Sequence, residues 1–174
     1  MLNSHTLYII GFMGSGKSTA GRKLAFLLDW SFVDLDKKVE EYTGKTITEL
    51  FSQNGEDYFR NVESEVLKSL KGQINTVIST GGGTPCYSDN MDYMLSTGLT
   101  LYLKLTPGQL KKRLSESSHE RPLIKGLTND EMLGFIKEKL AYREKWYNHA
   151  ELTVEGIDLD INSLHSLVKS RLKI

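Results

Sequence analysis

Short apolar runs alternate with longer amphipathic segments along this chain. Five runs rich in β-branched, aromatic and aliphatic residues predict strands, at residues 6–10, 31–34, 76–80, 100–105 and 151–154. The segments between them repeat their apolar positions at helical spacing. Near-continuous apolar strands that alternate with helices are typical of a parallel sheet covered on both faces. The pattern therefore predicts an α/β fold with three layers, helices lying on each side of a parallel sheet.

Two segments are longer than this alternation needs. Residues 36–72 predict two or three successive helices, enough to form a substrate-covering lobe. Residues 115–128 are polar, are interrupted by Pro122 and Gly126, and lie between two predicted helices. We interpret this second segment as a lid.

Length and charge limit the classes of protein that fit. The chain has 174 residues, of which 39% are hydrophobic, and this is enough for one compact core. We therefore predict a single domain that spans residues 1–174. Lysine plus arginine equals aspartate plus glutamate at 22 each, so we expect neither nucleic acid nor a membrane surface as a partner. No apolar run is long enough to cross a bilayer, and the N-terminus lacks the regions of a signal peptide. An anionic ligand must then be held by a few local charges.

The cysteine and histidine content adds two expectations. A single cysteine, Cys86, excludes an internal disulfide, fits a reducing cytoplasm, and has no activating partner in the sequence, so we expect an inert thiol. The histidines His5, His119, His149 and His165 lie far apart and form no zinc-binding pattern.

A phosphate-binding pattern directly follows the first predicted strand. Residues 11–18 read G-F-M-G-S-G-K-S and lead into a helix-like segment at residues 19–28. Glycines let the backbone curl its N–H groups toward phosphate oxygens, and the helix adds the positive end of its dipole. Lys17 would reach the β- and γ-phosphates, and Ser18 would bind Mg²⁺. The alternative is a glycine-rich turn with an incidental lysine.

Polar residues and glycines also follow the second and third predicted strands. Asp34 and Asp36 end the second strand, and glycines occupy residues 81–83 after the third. Open parallel sheets bind ligands at the carboxyl ends of their strands, so we expect these groups to meet in one cleft. Asp34 is the candidate carboxylate for Mg²⁺, because the ion keeps several waters and needs few protein ligands.

The loop alone indicates a nucleotide, not a reaction. The chain has no N-K-x-D motif for guanine, and its third strand ends in hydroxyls and glycines rather than the acidic residue of ATPase motors. Small size, a mid-chain lobe and an arginine-bearing lid favour a kinase of a small metabolite or nucleotide. Such a kinase must exclude water, since ATP would otherwise be hydrolysed.

Further motifs, in this order along the chain, resemble those of the shikimate kinase family. They are F-V-D-L-D at 32–36, G-E-D-Y-F-R-N-V-E at 55–63, T-G-G-G at 80–83, R-P-L at 121–123 and Y-R-E at 142–144. The resemblance implies ATP-dependent phosphorylation of the 3-hydroxyl of shikimate, in the biosynthesis of aromatic amino acids. It also implies a P-loop kinase fold with five parallel strands in the order 2-3-1-4-5, Mg²⁺ bound with ATP, a cytoplasmic location and a monomer.

The resemblance also assigns site residues. Arg60 and Arg143 match the arginines that bind the carboxylate of shikimate, and Gly82 matches a backbone N–H donor to the substrate. Asp36 matches the acid that accepts hydrogen bonds from ring hydroxyls and orients or deprotonates the attacking oxygen. Arg121 matches the lid arginine that stabilises the transferred phosphoryl group, so the catalytic set is Lys17, Asp36 and Arg121. The expected ATP-binding residues are Gly14, Ser15, Gly16, Lys17, Ser18, Thr19 and Arg121.

Each assignment has a plainer alternative. Arg60 could pair with Glu56 or Glu63 on a helix surface. The two aspartates could form a solvated strand end or a helix cap, and the three glycines a flexible connection. The arginines at 121 and 143 could be solvated.

Two rival functions follow from the same sequence. A kinase of gluconate or of a nucleoside monophosphate would share the architecture, but a monophosphate acceptor calls for more arginines than Arg60 alone between residues 36 and 72. A nucleotide-binding module without catalysis would not need Lys17, Ser18, Asp36 and Arg121 together. One departure from the family concerns adenine: residues 153–160 contain no arginine or proline, so we predict no base-contacting residue there.

Overall fold

Five parallel strands form one sheet at the centre of the computed structural model, which describes residues 5–117, 124 and 126–174. Their order is β2-β3-β1-β4-β5, as the family resemblance implied. Each strand lies within one residue of its predicted limits. The strands are β1 Thr6–Ile10, β2 Ser31–Asp34, β3 Thr76–Ser79, β4 Leu99–Lys104 and β5 Leu152–Glu155.

Helices connect the strands and cover both faces of the sheet. Three of the helices begin with a capping box, in which a threonine hydroxyl and a side chain three residues later satisfy exposed backbone N–H groups. The helices in the described ranges are α1 Lys17–Leu28, α2 Leu35–Thr43, α3 Ile47–Ser69, α4 Asn90–Thr97, α5 Pro107–Glu116, α6 Asn129–Tyr147 and α7 Ile161–Leu172. A short 3₁₀ turn spans Thr84–Cys86.

The sheet separates two hydrophobic clusters. Successive side chains of a strand point to opposite faces, so Leu7 and Ile9 pack with helices α1 and α7, whereas Tyr8 and Ile10 pack with helices α3, α4 and α6. Both clusters are thus built on the same strands. This arrangement confirms the predicted three-layer α/β/α fold.

The predicted lobe at residues 36–72 consists of α2 and α3. Helix α3 is kinked at Gly55, whose φ of 82° and ψ of 170° interrupt the helical backbone. The lobe therefore contains three helical pieces, in agreement with the two or three that the sequence predicts.

The predicted lid at residues 115–128 falls mostly outside the described residues. Helix α5 ends at Glu116 and helix α6 begins at Asn129, and Arg121 lies in the part that is not described. Across the described ranges, no helix combines the length and the apolar character needed to cross a bilayer.

Candidate active site

A cleft of about 750 Å³ opens at the carboxyl edge of the sheet. Its walls come from the loop after β1 with the start of α1, the start of α2, both halves of α3, the glycine turn after β3, and helices α5 and α6. The carboxyl ends of the neighbouring strands β1, β2 and β3 meet at this edge, as the sequence predicts. The residues predicted to handle phosphate, metal and acceptor are thereby brought together.

The loop between β1 and α1 has the backbone that phosphate binding requires. Gly14 and Gly16 take φ angles of 79° and 94°, which side-chain-bearing residues rarely adopt. The buried Lys17 ammonium donates to the carbonyls of Gly11 and Phe12, at 2.9 and 3.0 Å. These bonds hold the lysine against the inner side of its own loop, within the cleft that it lines.

A hydroxyl–carboxylate pair lies where this loop meets β2 and β3. Ser18 Oγ donates to Asp34 Oδ2 at 2.8 Å and lies 3.1 Å from Ser79 Oγ. Asp34 and Ser79 are register partners in the sheet. Asp34 also caps helix α2, because its side chain accepts a hydrogen bond from the Lys37 N–H at 3.5 Å. Asp34 is thus both a helix cap, as the alternative had it, and a neighbour of Ser18, as predicted.

Arg60 is buried and already paired. Its Nη1 donates to Glu63 Oε2 at 2.7 Å, and its Nη2 donates to Glu56 Oε1 at 3.4 Å. Glu63 has no exposed surface, and its second oxygen accepts from the Thr84 hydroxyl at 2.6 Å. Arg60 therefore does form the ion pairs with Glu56 and Glu63 that the sequence offered as its alternative role. These pairs lie in the wall of the cleft, however, and not on the outer surface of the helix.

Arg143 enters the cleft from helix α6. It is buried, which overturns the solvated alternative, and its guanidinium lies 5.2 Å from the centre of the Phe12 ring. Its Nη1 has no hydrogen-bond partner among the described residues. A buried guanidinium with an unused donor is a site for an anion, because such a group is costly to leave unpaired.

The glycine turn after β3 is shaped by close approach rather than by flexibility. A Cβ on Gly82 would lie 3.1 Å from Arg143 Nη1, and a Cβ on Gly83 would overlap the Arg60 guanidinium. A Cβ on Gly81 would lie 2.5 Å from Glu63 Oε1. Only glycine lets both arginines lie this close to the turn, so the flexible-connection alternative does not hold.

Asp36 has an altered acidity. Its side chain opens onto the cleft, yet the surrounding protein removes much of its hydration. This desolvation, with repulsion from Glu63 and Asp34, raises the pKa of Asp36 to about 6, against the opposing pull of Lys17 and Arg60. A carboxylate with a raised pKa is a better proton acceptor near neutral pH.

Cys86 lies half-buried just after the glycine turn. Desolvation raises the pKa of its thiol to about 11, although Arg143 and Arg60 oppose the shift. The thiol is therefore protonated at neutral pH, in keeping with the inert thiol that the sequence predicts.

Most predicted site residues line this one cleft. Those that do are Gly14, Gly16, Lys17, Ser18, Thr19, Asp34, Asp36, Arg60, Gly82 and Arg143. Ser15 is buried beneath the loop, and its hydroxyl has no partner among the described residues. Arg121 lies outside the described residues. The roles given to all of these residues stay predictions.

Two residues of the site were not assigned from sequence. Glu63 holds Arg60, and its sequence signals are its position three residues after that arginine and its place at the end of the motif at residues 55–63. Arg113 of α5 donates to the Ser15 carbonyl and the Gly156 carbonyl, each at 3.0 Å. It thereby joins the phosphate loop to the segment after β5, and no motif in the sequence marks it for this contact.

Comparison with known proteins gives a consistent result. Residues 13–169 match the family model described as shikimate kinase. A shikimate kinase of Parabacteroides distasonis is 37% identical over 169 residues, which cover 97% of this chain and 98% of that protein. A shikimate kinase structure from Bacteroides thetaiotaomicron has a TM-score of 0.91 and 36% identity, covering 98% of this chain and 99% of that one. The structure of a shikimate kinase from Acinetobacter baumannii in complex with shikimate has a TM-score of 0.85 and 30% identity, covering 99% of this chain and 95% of that one.

Proposed function

The chain belongs to the shikimate kinase family, and from this membership we propose how its cleft phosphorylates shikimate with ATP. The reaction transfers the γ-phosphoryl group of ATP to the 3-hydroxyl of shikimate, a step in aromatic amino acid biosynthesis. The observation that carries the proposal is the buried Nη1 of Arg143 beside Gly82, which has no hydrogen-bond partner in the described part of the chain. It supplies a donor for a carboxylate at the place where an acceptor meets the phosphate loop.

We assign the acceptor carboxylate to Arg143 and Arg60 together. Planar guanidinium groups bind carboxylates through paired N–H donors, which fixes orientation as well as charge. Arg60 brings a charge already balanced by Glu63 and Glu56, and Arg143 brings an unused donor. Their combined charge suits one carboxylate better than a doubly charged monophosphate.

The ring hydroxyls are assigned to Asp36 and to the backbone N–H of Gly82. Asp36 would accept a hydrogen bond from the attacking hydroxyl and orient or deprotonate it. Its raised pKa, about 6, favours proton acceptance at neutral pH. Acidic side chains nearby, Asp34 and Glu63, further disfavour an acceptor that carries more negative charge.

The phosphates of ATP are assigned to the loop at residues 11–18 and to the start of α1. Backbone N–H groups, the helix dipole and Lys17 would hold the transferred group and the leaving oxygens. Arg121 is proposed to close over the same phosphates from the lid.

Mg²⁺ fits the donor set that the structure shows. Ser18 Oγ and Asp34 Oδ2, 2.8 Å apart, are hard oxygen ligands of the kind that the ion prefers. Mg²⁺ keeps several waters and phosphate oxygens in its shell, so these two protein ligands could suffice. When bound, Mg²⁺ would neutralise charge on the β- and γ-phosphates.

The remaining proposals concern the molecule as a whole. We propose a monomer in the cytoplasm, where the protonated thiol of Cys86 would stay reduced.

A coupled ADP-release assay with a panel of acceptors tests the function. We expect release with shikimate and little with gluconate, AMP or no acceptor. Mass spectrometry should find shikimate with one added phosphoryl group, and the coupling of ¹H to ³¹P should place that group on the 3-hydroxyl. Faster turnover with gluconate or AMP, or ATP hydrolysis without a phosphorylated acceptor, would contradict the proposal.

A further inference from the structure

We infer that Tyr147 is a positioning residue: its hydroxyl ties helix α6 to the glycine turn at residues 81–83 and thereby fixes Arg143 relative to Gly82. This inference rests on the proposed function, because it concerns the site that would bind the acceptor carboxylate. It assigns a role to a residue that neither the phosphate loop nor the acceptor motifs include.

The contact joins two distant parts of the chain. The Tyr147 hydroxyl donates to the Gly82 carbonyl at 2.5 Å, across 65 residues of sequence. The tyrosine has no exposed surface, and burial raises the pKa of its hydroxyl well above the usual value. The hydroxyl is therefore protonated under all ordinary conditions and acts as a permanent donor to this carbonyl.

The same helix carries Arg143 one turn earlier. Residues four apart lie on one face of a helix, so Arg143 and Tyr147 both face the glycine turn. A Cβ on Gly82 would lie 3.1 Å from Arg143 Nη1, while the carbonyl of the same glycine accepts from Tyr147. One residue of the turn thus lies beside the Arg143 guanidinium and is bonded to Tyr147 of the same helix, so this bond would set the spacing between the turn and the guanidinium.

The bond also fixes the orientation of a peptide group. The Gly82 carbonyl and the Gly83 N–H belong to one planar trans unit and point in opposite directions. The carbonyls on either side are held as well, because Gly81 O accepts from the Thr84 N–H at 3.2 Å and Gly83 O from the Cys86 N–H at 3.0 Å. By contrast, the N–H groups of the three glycines have no acceptor among the described residues. All three carbonyls of the turn already accept a hydrogen bond within the protein, so the N–H groups are the donors that the turn has left for a ligand.

A purely structural role is the competing explanation, since Tyr147 also packs in the core. Its ring lies 4.9 Å from the ring of Tyr102, centre to centre. Tyr102 is equally buried, but its hydroxyl lies near Glu144 and makes no contact with the glycine turn. The two tyrosines therefore form a matched pair: removing either hydroxyl keeps the ring packing, and only one removal frees the Gly82 carbonyl.

The test compares Tyr147→Phe with Tyr102→Phe in the kinase assay. We expect Tyr147→Phe to raise the KM for shikimate about tenfold, because a buried carbonyl loses its donor and the turn can shift. The KM for ATP should change less than about twofold, within the ordinary effect of a conservative core change. Tyr102→Phe should leave both KM values within the same range. An equal rise of both KM values, or the same change in both variants, would reduce Tyr147 to a packing residue.

A double-mutant cycle with Arg143→Ala tests the connection to the guanidinium. If Tyr147 acts by positioning Arg143, Tyr147→Phe should change the shikimate KM far less once Arg143 is absent. The same tenfold effect in both backgrounds would contradict the inference. Should Tyr147→Phe be too unstable to assay, the comparison is repeated in a Gly134→Ala background, which stabilises helix α6.

Failure of the inference and failure of the proposed function give different results. Wild-type protein that does not phosphorylate shikimate overturns the function. Wild-type protein that does so, with a Tyr147→Phe variant of normal shikimate KM, overturns only the positioning role.

Discussion

At the scale of single residues, the two arginines of the acceptor site differ in how their charge is balanced. Arg60 has ion pairs to Glu56 and Glu63, whereas Arg143 has an unused donor. Removing Arg60 would leave the fully buried Glu63 carboxylate without its cation. Breaking a buried ion pair in this way costs about 3 to 5 kcal/mol. Removing Arg143 would leave no carboxylate of the described structure without its ion-pair partner.

We therefore predict different effects for the two alanine variants. Both should raise the KM for shikimate strongly and leave that for ATP nearly unchanged, since each arginine is proposed to bind the acceptor carboxylate. Only Arg60→Ala should also lower the free energy of unfolding, by about 3 kcal/mol or more. Denaturant titration and steady-state kinetics measure the two effects separately.

A second variant separates the two roles of Arg60. The double variant Arg60→Ala/Glu63→Gln has no unpaired Glu63 carboxylate. It should therefore be more stable than Arg60→Ala, while its KM for shikimate stays high. Recovery of the KM together with stability would mean that Arg60 only supports the fold.

Asp36 carries a prediction about pH. If the ionised form accepts the hydroxyl proton, kcat/KM for shikimate should fall as pH drops through about 6, rather than through the ordinary carboxyl value of 3.8. Asp36→Asn should have low turnover and lack this acidic limb. A wild-type profile that stays flat down to pH 5 would remove Asp36 from proton acceptance.

The same shift predicts a stability effect of opposite sign. Because the pKa is raised on folding, the native state binds the proton more tightly, and stability falls as pH rises from about 3.8 to 6. At neutral pH, Asp36→Asn should therefore be more stable than wild type, and the difference should vanish below pH 3.8. Equal stability of the two proteins at neutral pH would contradict the raised pKa of Asp36.

At the scale of elements, the kink in α3 depends on one glycine. Gly55 has φ 82° and ψ 170°, a region that is nearly exclusive to glycine, although no atom lies within 4 Å of where its Cβ would be. Gly55→Ala should thus destabilise the protein through backbone strain alone, by about 1 to 3 kcal/mol.

Gly134 is the matched control, because it lies exposed inside the regular helix α6 with equally open space for a Cβ. Gly134→Ala should stabilise by about 0.5 to 1 kcal/mol. Denaturant midpoints report both changes. Equal midpoints for Gly55→Ala and wild type would show that the kink relaxes freely.

Element positions were predictable where periodicity is strong, and side-chain pairings were not. Buried parallel strands are continuous apolar runs, so all five were located within one residue. The break of the lobe into successive helices was predicted, but its position at Gly55 was not, because a single glycine inside a helical pattern is usually tolerated. Arg113 was missed for a different reason: its contacts to Ser15 and Gly156 cross 98 and 43 residues, and nothing local signals them.

At the scale of the whole molecule, neutral net charge and local chemistry fit together. The chain has 22 cationic and 22 acidic side chains, yet Lys17, Arg60 and Arg143 share one cleft with Asp34, Asp36 and Glu63. Sequence could predict this meeting, because strand order and loop position fix where strand ends lie. It offered the pairs of Arg60 with Glu56 and Glu63 only on a helix surface and could not predict their burial, since burial depends on how helix α3 packs at the cleft.

We expect the two hydrophobic clusters on either side of the sheet to unfold together. Alternate residues of β1, Leu7 and Ile9 against Tyr8 and Ile10, belong to the two separate hydrophobic clusters, so neither cluster can dissolve without the strands of the other. We expect a single calorimetric transition with equal calorimetric and van't Hoff enthalpies, as in one domain. ADP and shikimate, each at 100 times its Kd, should each add about 2.7 kcal/mol and shift the whole transition. If the lobe of α2 and α3 unfolded separately, shikimate would instead move one of two peaks, and the chain would behave as two units joined at the cleft.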